Sequence, residues 1–239
     1  MNQINIQYYK TKIGELISGS FDGRLCLLDY RYRRMRATVD NRIKKGLGAD
    51  FVEKKNDDVL SKARVQLDEY LNGDRTCFDI TVLMVGTDFQ KSVWEALMEI
   101  HYGKTASYLD IAKFINKEKA VRAVASANGA NSMSLIIPCH RIIGSNGELV
   151  GYGGGVAVKK RLLKLEQNNS GLSDNEKYNL IGSKNIKYDG MFFTAAKTTG
   201  IYCKPSCSAK KPNRENVIFY DTKKEATENG YRSCKVCKP

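Results

Sequence analysis

The hydrophobic and polar positions change period along the chain. In residues 4–9, 13–20 and 25–29 the β-formers alternate or cluster, and Phe21-Asp22-Gly23 separates the last two runs as a turn. The pattern predicts an antiparallel meander. Residues 59–71 place Val59, Leu60, Ala63, Val65, Leu67 and Leu71 near helical spacing and stop at Asn72-Gly73, a helix-ending signal. Residues 78–84 predict another strand, and the basic run 31–36 reads as a solvated loop. From Gly86 the character is helical. Thr87 with Gln90 three residues on is a capping box, and the helix after it presents Val93, Trp94, Leu97 and Met98 on one face. Residues 108–115 and 120–128 predict two short helices joined by the polar turn 116–119, the helix-turn-helix pattern. The second is rich in small residues and can lie deep in a groove, with Arg122 as its one long cation. A two-helix packing unit without nucleic acid is the alternative.

Composition adds a partner. The 239 residues carry a formal charge of +13, which points to an anionic partner such as nucleic acid, against a merely soluble basic surface. No run approaches the ~18 apolar residues of a membrane span, and the first ten residues do not resemble a signal peptide. A cytoplasmic protein with reduced cysteines is expected.

Candidate chemistry gathers in Leu135-Ile136-Ile137-Pro138-Cys139-His140-Arg141-Ile142-Ile143. The apolar flanks predict buried extended chain that Pro138 interrupts. Cys139 is then a thiol on a rigid support with an imidazole beside it, a candidate nucleophile. A small buried apolar residue is the other reading. On extended backbone the two side chains would face opposite ways, so a water between them is expected. Gly151-Tyr152-Gly153-Gly154-Gly155 forms a loop with almost no Cβ atoms, suited to close approach of a ligand, and residues 156–166 predict a helix ending in Glu166. Lys159, Lys160, Arg161 and Lys164 make that helix basic. Cys26 and Cys77 read as core residues.

A polar stretch, 167–174, reads as a flexible linker. Beyond residue 170, 13 Lys and Arg stand against 7 Asp and Glu. Four of the seven cysteines lie there as Cys203-x3-Cys207 and Cys234-x2-Cys237, the spacing of a four-cysteine zinc site that would staple a unit too small for a sufficient core. Two disulfides are the alternative.

The Pro138-Cys139-His140-Arg141 stretch, with Ser107-Tyr108 upstream and Gly151-Tyr152-Gly153-Gly154 downstream, resembles the O6-alkylguanine-DNA alkyltransferase family over residues 4–167. The resemblance implies an α/β (α+β) chain with an RNase H-like domain at 1–85 and a winged helix-turn-helix alkyltransferase domain at 86–167. It implies single-turnover transfer of an alkyl group from guanine O6 (and thymine O4) in double-stranded DNA to Cys139. His140 would be the base acting through a water, and Glu166 would orient it. Tyr108 would protonate the leaving base, Arg122 would fill the hole left by the flipped base, and Asn131 would brace the site. Tyr152 and Gly153 would shape the pocket, with Ser145 among the DNA contacts. The family often has serine where Gly153 stands. No organic cofactor is implied, and a monomer is expected.

Residues 185–239 are similar to the metal-binding repair domain of Ada. The similarity is carried by Lys197-Thr198-Thr199-Gly200-Ile201-Tyr202-Cys203-Lys204-Pro205-Ser206-Cys207, Arg214-Glu215-Asn216-Val217 and Cys234-Lys235-Val236-Cys237. A small zinc-bound α+β domain after a linker at 168–184 is implied. One zinc would sit on Cys203, Cys207, Cys234 and Cys237, with Cys203 taking a methyl from a DNA phosphotriester. In this sequence the unit ends the chain and the transcription-activating helix-turn-helix that normally follows it is absent. Repair is therefore the expectation. A methylation-sensing regulator, or a zinc unit that only docks on DNA, are the alternatives.

Overall fold

The computed structural model describes residues 2–169 and 172–239. Strands β1 (Asn2–Thr11), β2 (Gly14–Phe21) and β3 (Arg24–Tyr30) form the expected antiparallel meander, with Tyr9 opposite Leu16 and Leu16 opposite Tyr30. Two elements had no signal in the hydrophobic pattern. Helix α1 (Arg36–Leu47) buries only Val39 and Ile43, too few for a visible stripe, and ends on Gly48 in the left-handed conformation. After it, β4 (Ala49–Glu53) runs parallel to β1, which completes the order β3-β2-β1-β4. Ile4, Ile6, Ile17, Leu27, Val39 and Ile43 pack between sheet and helix.

The described residues fall into two compact units, one of residues up to 68 with 78–100 and 104–164, the other of 69–77, 101–103 and 165 onward. Helix α2 (Asp58–Asn72) follows the sheet. The strand expected at 78–84 is an extended segment touching β3 at one position. Leu25 N–H donates to Thr81 O at 2.9 Å and Leu83 N–H to Leu25 O at 2.8 Å. It goes no further because the next stretch of that edge is taken. Leu28 N–H donates to Ser132 O (2.9 Å) and Leu28 O accepts from Ser134 N–H (2.7 Å), so the chain leading to Cys139 is hydrogen-bonded to β3.

Helix α3 (Asp88–Met98) has both halves of its capping box on Thr87 and Gln90. Strand β5 (Ala106–Ser107) leads into α4 (Tyr108–Phe114), capped by Ser107 and Asp110, and α5 (Val121–Gly129) follows a 3-10 turn, as the helix-turn-helix pattern requires. Val93, Trp94, Leu97, Ile111, Val124 and Ala127 form their core, and Trp94 Nε1 donates to Ala127 O at 2.8 Å. The stretch around Cys139 differs from the extended chain expected. Leu135 is left-handed (φ 72°), Ser134 and Ile137 bridge each other, and Cys139–Arg141 is a 3-10 turn before β6 (Ile142–Ile143), which pairs with β5. Two hydrogen bonds from the Asn131 side chain close this loop, and they outweigh the β-propensity of its residues. Helix α6 (Val156–Asn169) comes next.

The linker expected at 168–184 is helical for part of its length. Helix α7 (Asp174–Leu180) starts at a Ser173–Glu176 capping box, a signal hidden in a polar stretch, while residues 170 and 171 lie outside the described residues. The C-terminal sheet has β7 (Phe193–Ala196) between β8 (Ile201–Cys203) and β9 (Val217–Tyr220). Helix α8 (Lys223–Glu228) then leads to β10 (Arg232–Ser233), which pairs with β8. Phe193, Ala195, Tyr202, Tyr220 and Ala226 make a core of five buried residues, small enough to need a staple.

Candidate functional site

In the first unit a cavity of about 290 Å³ brings together five of the residues expected from sequence, namely Cys139, Tyr108, Asn131, Tyr152 and Gly153. Cys139 is 6% exposed, at the start of its 3-10 turn, with its N–H on Ile137 O at 2.8 Å. Asn131 ties together the loop that precedes Cys139. Its Nδ2 donates to Ile137 O (2.9 Å) and its Oδ1 accepts from Met133 N–H (2.9 Å). Burial pushes the Cys139 thiol up to about 11, the Asp29 carboxylate adds to this, and a hydrogen bond from Asn131 with the charges of Arg33 and Lys159 pulls the other way. The resting sulfur is therefore a thiol. Tyr108 is half-buried, and burial together with the nearby Cys139 raises its phenol, which keeps the O–H protonated.

His140 is fully buried on the same turn as Cys139, and its ring lies 6.1 Å from that of Tyr152. The two residues share a 3-10 turn rather than a strand, so the alternation of faces does not apply to them. Tyr152 OH is 3.2 Å from Tyr30 OH. The glycine loop makes its close approach to protein: a Cβ on Gly154 would lie 2.4 Å from the Tyr30 ring, so only glycine fits. Arg122 and Ser145 are exposed, Arg122 on the outward face of α5 with Ala123 and Ser126, and neither lines the cavity. Glu166 is grouped with the second unit. There it is fully buried and accepts from Tyr70 OH and from Gly103 N–H (3.0 Å).

Sequence reasoning missed several participants. Arg33 is not in a solvated loop. It donates to Asp29 Oδ2 (2.7 Å) and to Asn131 O (2.8 Å), and also to Gly129 O at the end of α5, where a cation complements the helix dipole. Asp29, fully buried, also accepts from Arg36 Nη1 (2.9 Å) and Ser134 Oγ (3.0 Å), so one carboxylate holds both sides of the loop before Cys139. Lys159 is no surface cation. It is fully buried and donates to Ile142 O and Val150 O, tying the end of the Cys139 turn to the glycine loop. The basic residues were visible, but their buried carboxylate and carbonyl partners are distant in sequence.

In the second unit the four cysteine sulfurs lie within 4.8 Å of one another, with Cys207 and Cys234 Sγ 4.0 Å apart. A tetrahedron with Zn–S near ~2.3 Å has S···S edges near ~3.8 Å, so the donor set fits one zinc. No disulfide joins these cysteines, contrary to the alternative weighed from spacing. Burial and neighbouring thiols push the Cys203 and Cys237 sulfurs up, Cys237 to about 12, as expected of a crowd that cannot ionise together without a cation. Cys203 is half-exposed and lines a cavity of about 600 Å³ with Lys210, Lys211, Arg232 and Lys235. Lys204 and Arg214 face Asp189 (3.9 Å) and Asp174 (3.7 Å).

Three stretches of the chain match known families. Residues 4–84 match the 6-O-methylguanine DNA methyltransferase ribonuclease-like domain, residues 88–168 the DNA binding domain of the same family, and residues 176–239 the metal binding domain of Ada. The methylated-DNA–protein-cysteine methyltransferase of Methanosarcina barkeri is 50% identical over 121 residues, covering 51% of this chain and 75% of that protein. The inducible enzyme of that name from Bacillus subtilis is 50% identical over 119 residues, 50% of this chain and 66% of that one. Among solved structures, Mycobacterium tuberculosis OGT in complex with DNA superposes with a TM-score of 0.60 at 36% identity, covering 70% of this chain and 94% of that one. Among the described residues no helix is long and apolar enough to cross a membrane.

Proposed function

The chain belongs to the methylated-DNA–protein-cysteine methyltransferase family and carries an Ada-type zinc-binding domain, and from that premise we propose that Cys139 accepts one alkyl group from O6-alkylguanine, or O4-alkylthymine, in double-stranded DNA. The observation that carries the proposal is the cavity that exposes a buried thiol beside a phenol. Attack on a saturated carbon is a displacement, and thiolate is the soft nucleophile for it. A thiol held near 11 needs a base, and His140, buried on the same turn, takes the proton through a water. The family resemblance assigns to Glu166 the role of orienting His140. Tyr108, kept protonated, gives a proton to the departing base, which would otherwise leave as an anion. The base must first leave the stack, at a cost of a few kcal/mol. Arg122, exposed on α5, fills its place in the duplex, and Ser145 and Gly153 lie along the bound strand. The thioether formed is a very poor leaving group, so each monomer acts once, in a cytoplasm that keeps its thiols reduced.

Cys203 is proposed as a second acceptor, for the methyl of a DNA methylphosphotriester. Zinc on the four cysteines would hold their sulfurs ionised. Of the four, Cys203 is a half-exposed one that also opens on the basic cavity, which supports it over Cys207 and Cys234, both buried. The test is peptide mass mapping after incubation with DNA carrying both lesions. One methyl on the Cys139 peptide and one on the Cys203 peptide are expected. Turnover beyond one methyl per site, or a guanine-derived methyl elsewhere, refutes the Cys139 assignment. An unmodified Cys203 beside an active Cys139 leaves a zinc-stapled docking module.

A further inference from the structure

One wall of the Cys139 cavity comes from the turn between β3 and α1, through Arg33, Arg34 and Met35. The same cavity is lined by Ala125, Asn128 and Gly129 of α5. Arg33 points inward and is spent on Asp29 and on the carbonyls of Gly129, the last residue of α5, and Asn131. That buried ion pair, with the main-chain bonds Arg33 N–H to Tyr30 O (3.3 Å) and Arg36 N–H to Arg33 O (3.1 Å), holds the turn in place. The next two residues face the other way: Arg34 is exposed and Met35 is 50% exposed, a large apolar side chain at the cavity mouth.

Resting on the proposed repair of extruded bases, we infer that this turn is a second DNA-contacting element: Arg34 binds a phosphate flanking the extruded nucleotide, and Met35 packs against its sugar and base edge. A base that reaches Cys139 must enter the cavity that this turn lines. Its phosphates remain outside, at the mouth, where the Arg34 guanidinium stands. Arg33 fixes the turn before DNA arrives, so little ordering cost falls on the contact. A flexible arginine elsewhere on the surface would lack that advantage.

The test compares Arg34→Gln with the unaltered protein on two substrates, a duplex oligonucleotide containing O6-methylguanine and the free base O6-methylguanine, which has no phosphate. The loss on duplex is expected to exceed the loss on free base by at least about fivefold at 0.1 M salt. The slope of log affinity against log salt should fall by about 0.9, one phosphate contact's worth. Arg34→Lys should keep the slope, and Met35→Ala should slow duplex repair without changing it. Equal losses on both substrates, an unchanged slope for Arg34→Gln, or a slope that Lys fails to restore would overturn the inference. If the unaltered protein transfers methyl to Cys139 and Arg34→Gln matches it, this inference alone falls. If the unaltered protein transfers nothing from either substrate, the proposed function falls with it.

Discussion

Asn131→Ala should damage stability and transfer together. The residue is 1% exposed, and its amide serves two buried main-chain groups, Met133 N–H and Ile137 O, each at 2.9 Å. Met133 N–H would lose its acceptor in a site closed to water, which costs about 1–3 kcal/mol. Ile137 O still accepts from Cys139 N–H at 2.8 Å, so its loss is smaller, about 0.5–1.5 kcal/mol. Together these give about 1.5–4.5 kcal/mol, or a fall of roughly 3–18 °C in melting temperature for a unit of this size. The protein carries its own reporter, because Trp94 is the single tryptophan and lies in the helical core that includes Ile137 and Cys139. Its fluorescence reports unfolding of this unit. The same amide holds the Cys139 thiol down through a hydrogen bond, so the variant's sulfur should be harder to ionise and its transfer from O6-methylguanine DNA slower. Asn131→Asp keeps an acceptor for Met133 N–H but puts a carboxylate beside the thiol. It should therefore melt no closer to the unaltered protein than Asn131→Ala does, because the buried carboxylate faces Ile137 O without a donor, and it should transfer more slowly. An Asn131→Ala protein that melts within 2 °C of the original and transfers at the same rate would refute the brace.

Three further outcomes are expected. Without DNA, carbamidomethylation of Cys139 by iodoacetamide should rise about tenfold per pH unit between pH 7 and 10, because the thiol stands near 11; peptide mass mapping reporting a plateau below pH 8 would show a resting thiolate instead. Chelating zinc should abolish the structure of residues 185–239, seen as lost amide protection, while the Trp94 melt and guanine repair stay nearly unchanged; repair lost with the metal would contradict this. Arg122→Ala should weaken repair of duplex far more than reaction with the free base, and equal losses would argue against its role in base extrusion.

What could be read from sequence was whatever lies in local pattern. The meander announced itself by alternation, α3 by Thr87 and Gln90, and the metal cluster by two short cysteine spacings. Cys139 and Tyr108 could be paired only through a family motif, since the chain between them gives no hint that β3 will receive Ser132 and Ser134 on its edge. Failures came where a distant partner reverses the meaning of a residue. Arg33 and Lys159 looked like solvent-facing cations because charge favours water. Carbonyls 98 and 96 residues from Arg33, and 17 and 9 residues from Lys159, turn both into struts. The apolar flanks of Cys139 looked extended because their isoleucines are β-branched, and Ile142–Ile143 is a strand, yet Leu135 is left-handed and Cys139 sits on a 3-10 turn. Propensity lost to the hydrogen bonds that Asn131 supplies.

On the proposed reading the two acceptor sulfurs meet one constraint in different ways. A protein that acts once is consumed by any stray electrophile or oxidant, since a thioether or a sulfinic acid is not reversed by its own residues. A permanently ionised, exposed thiolate would be spent before it met DNA. Cys139 avoids this by burial. At 6% exposure its thiol is pushed up to about 11, which leaves about one part in 10⁴ ionised at pH 7, and it gains reactivity only when a base and a positioned alkyl carbon are present together. Cys203 has no comparable burial, standing half-exposed on a basic cavity. A sulfur shared with a metal stays ionised while part of its electron density is engaged, so its protection would come from coordination rather than from a closed pocket. The two units should then differ in what inactivates them. Small alkylating agents and peroxide should reach Cys203 before Cys139 in the zinc-loaded protein, and chelation should widen that gap by releasing four thiols to solvent.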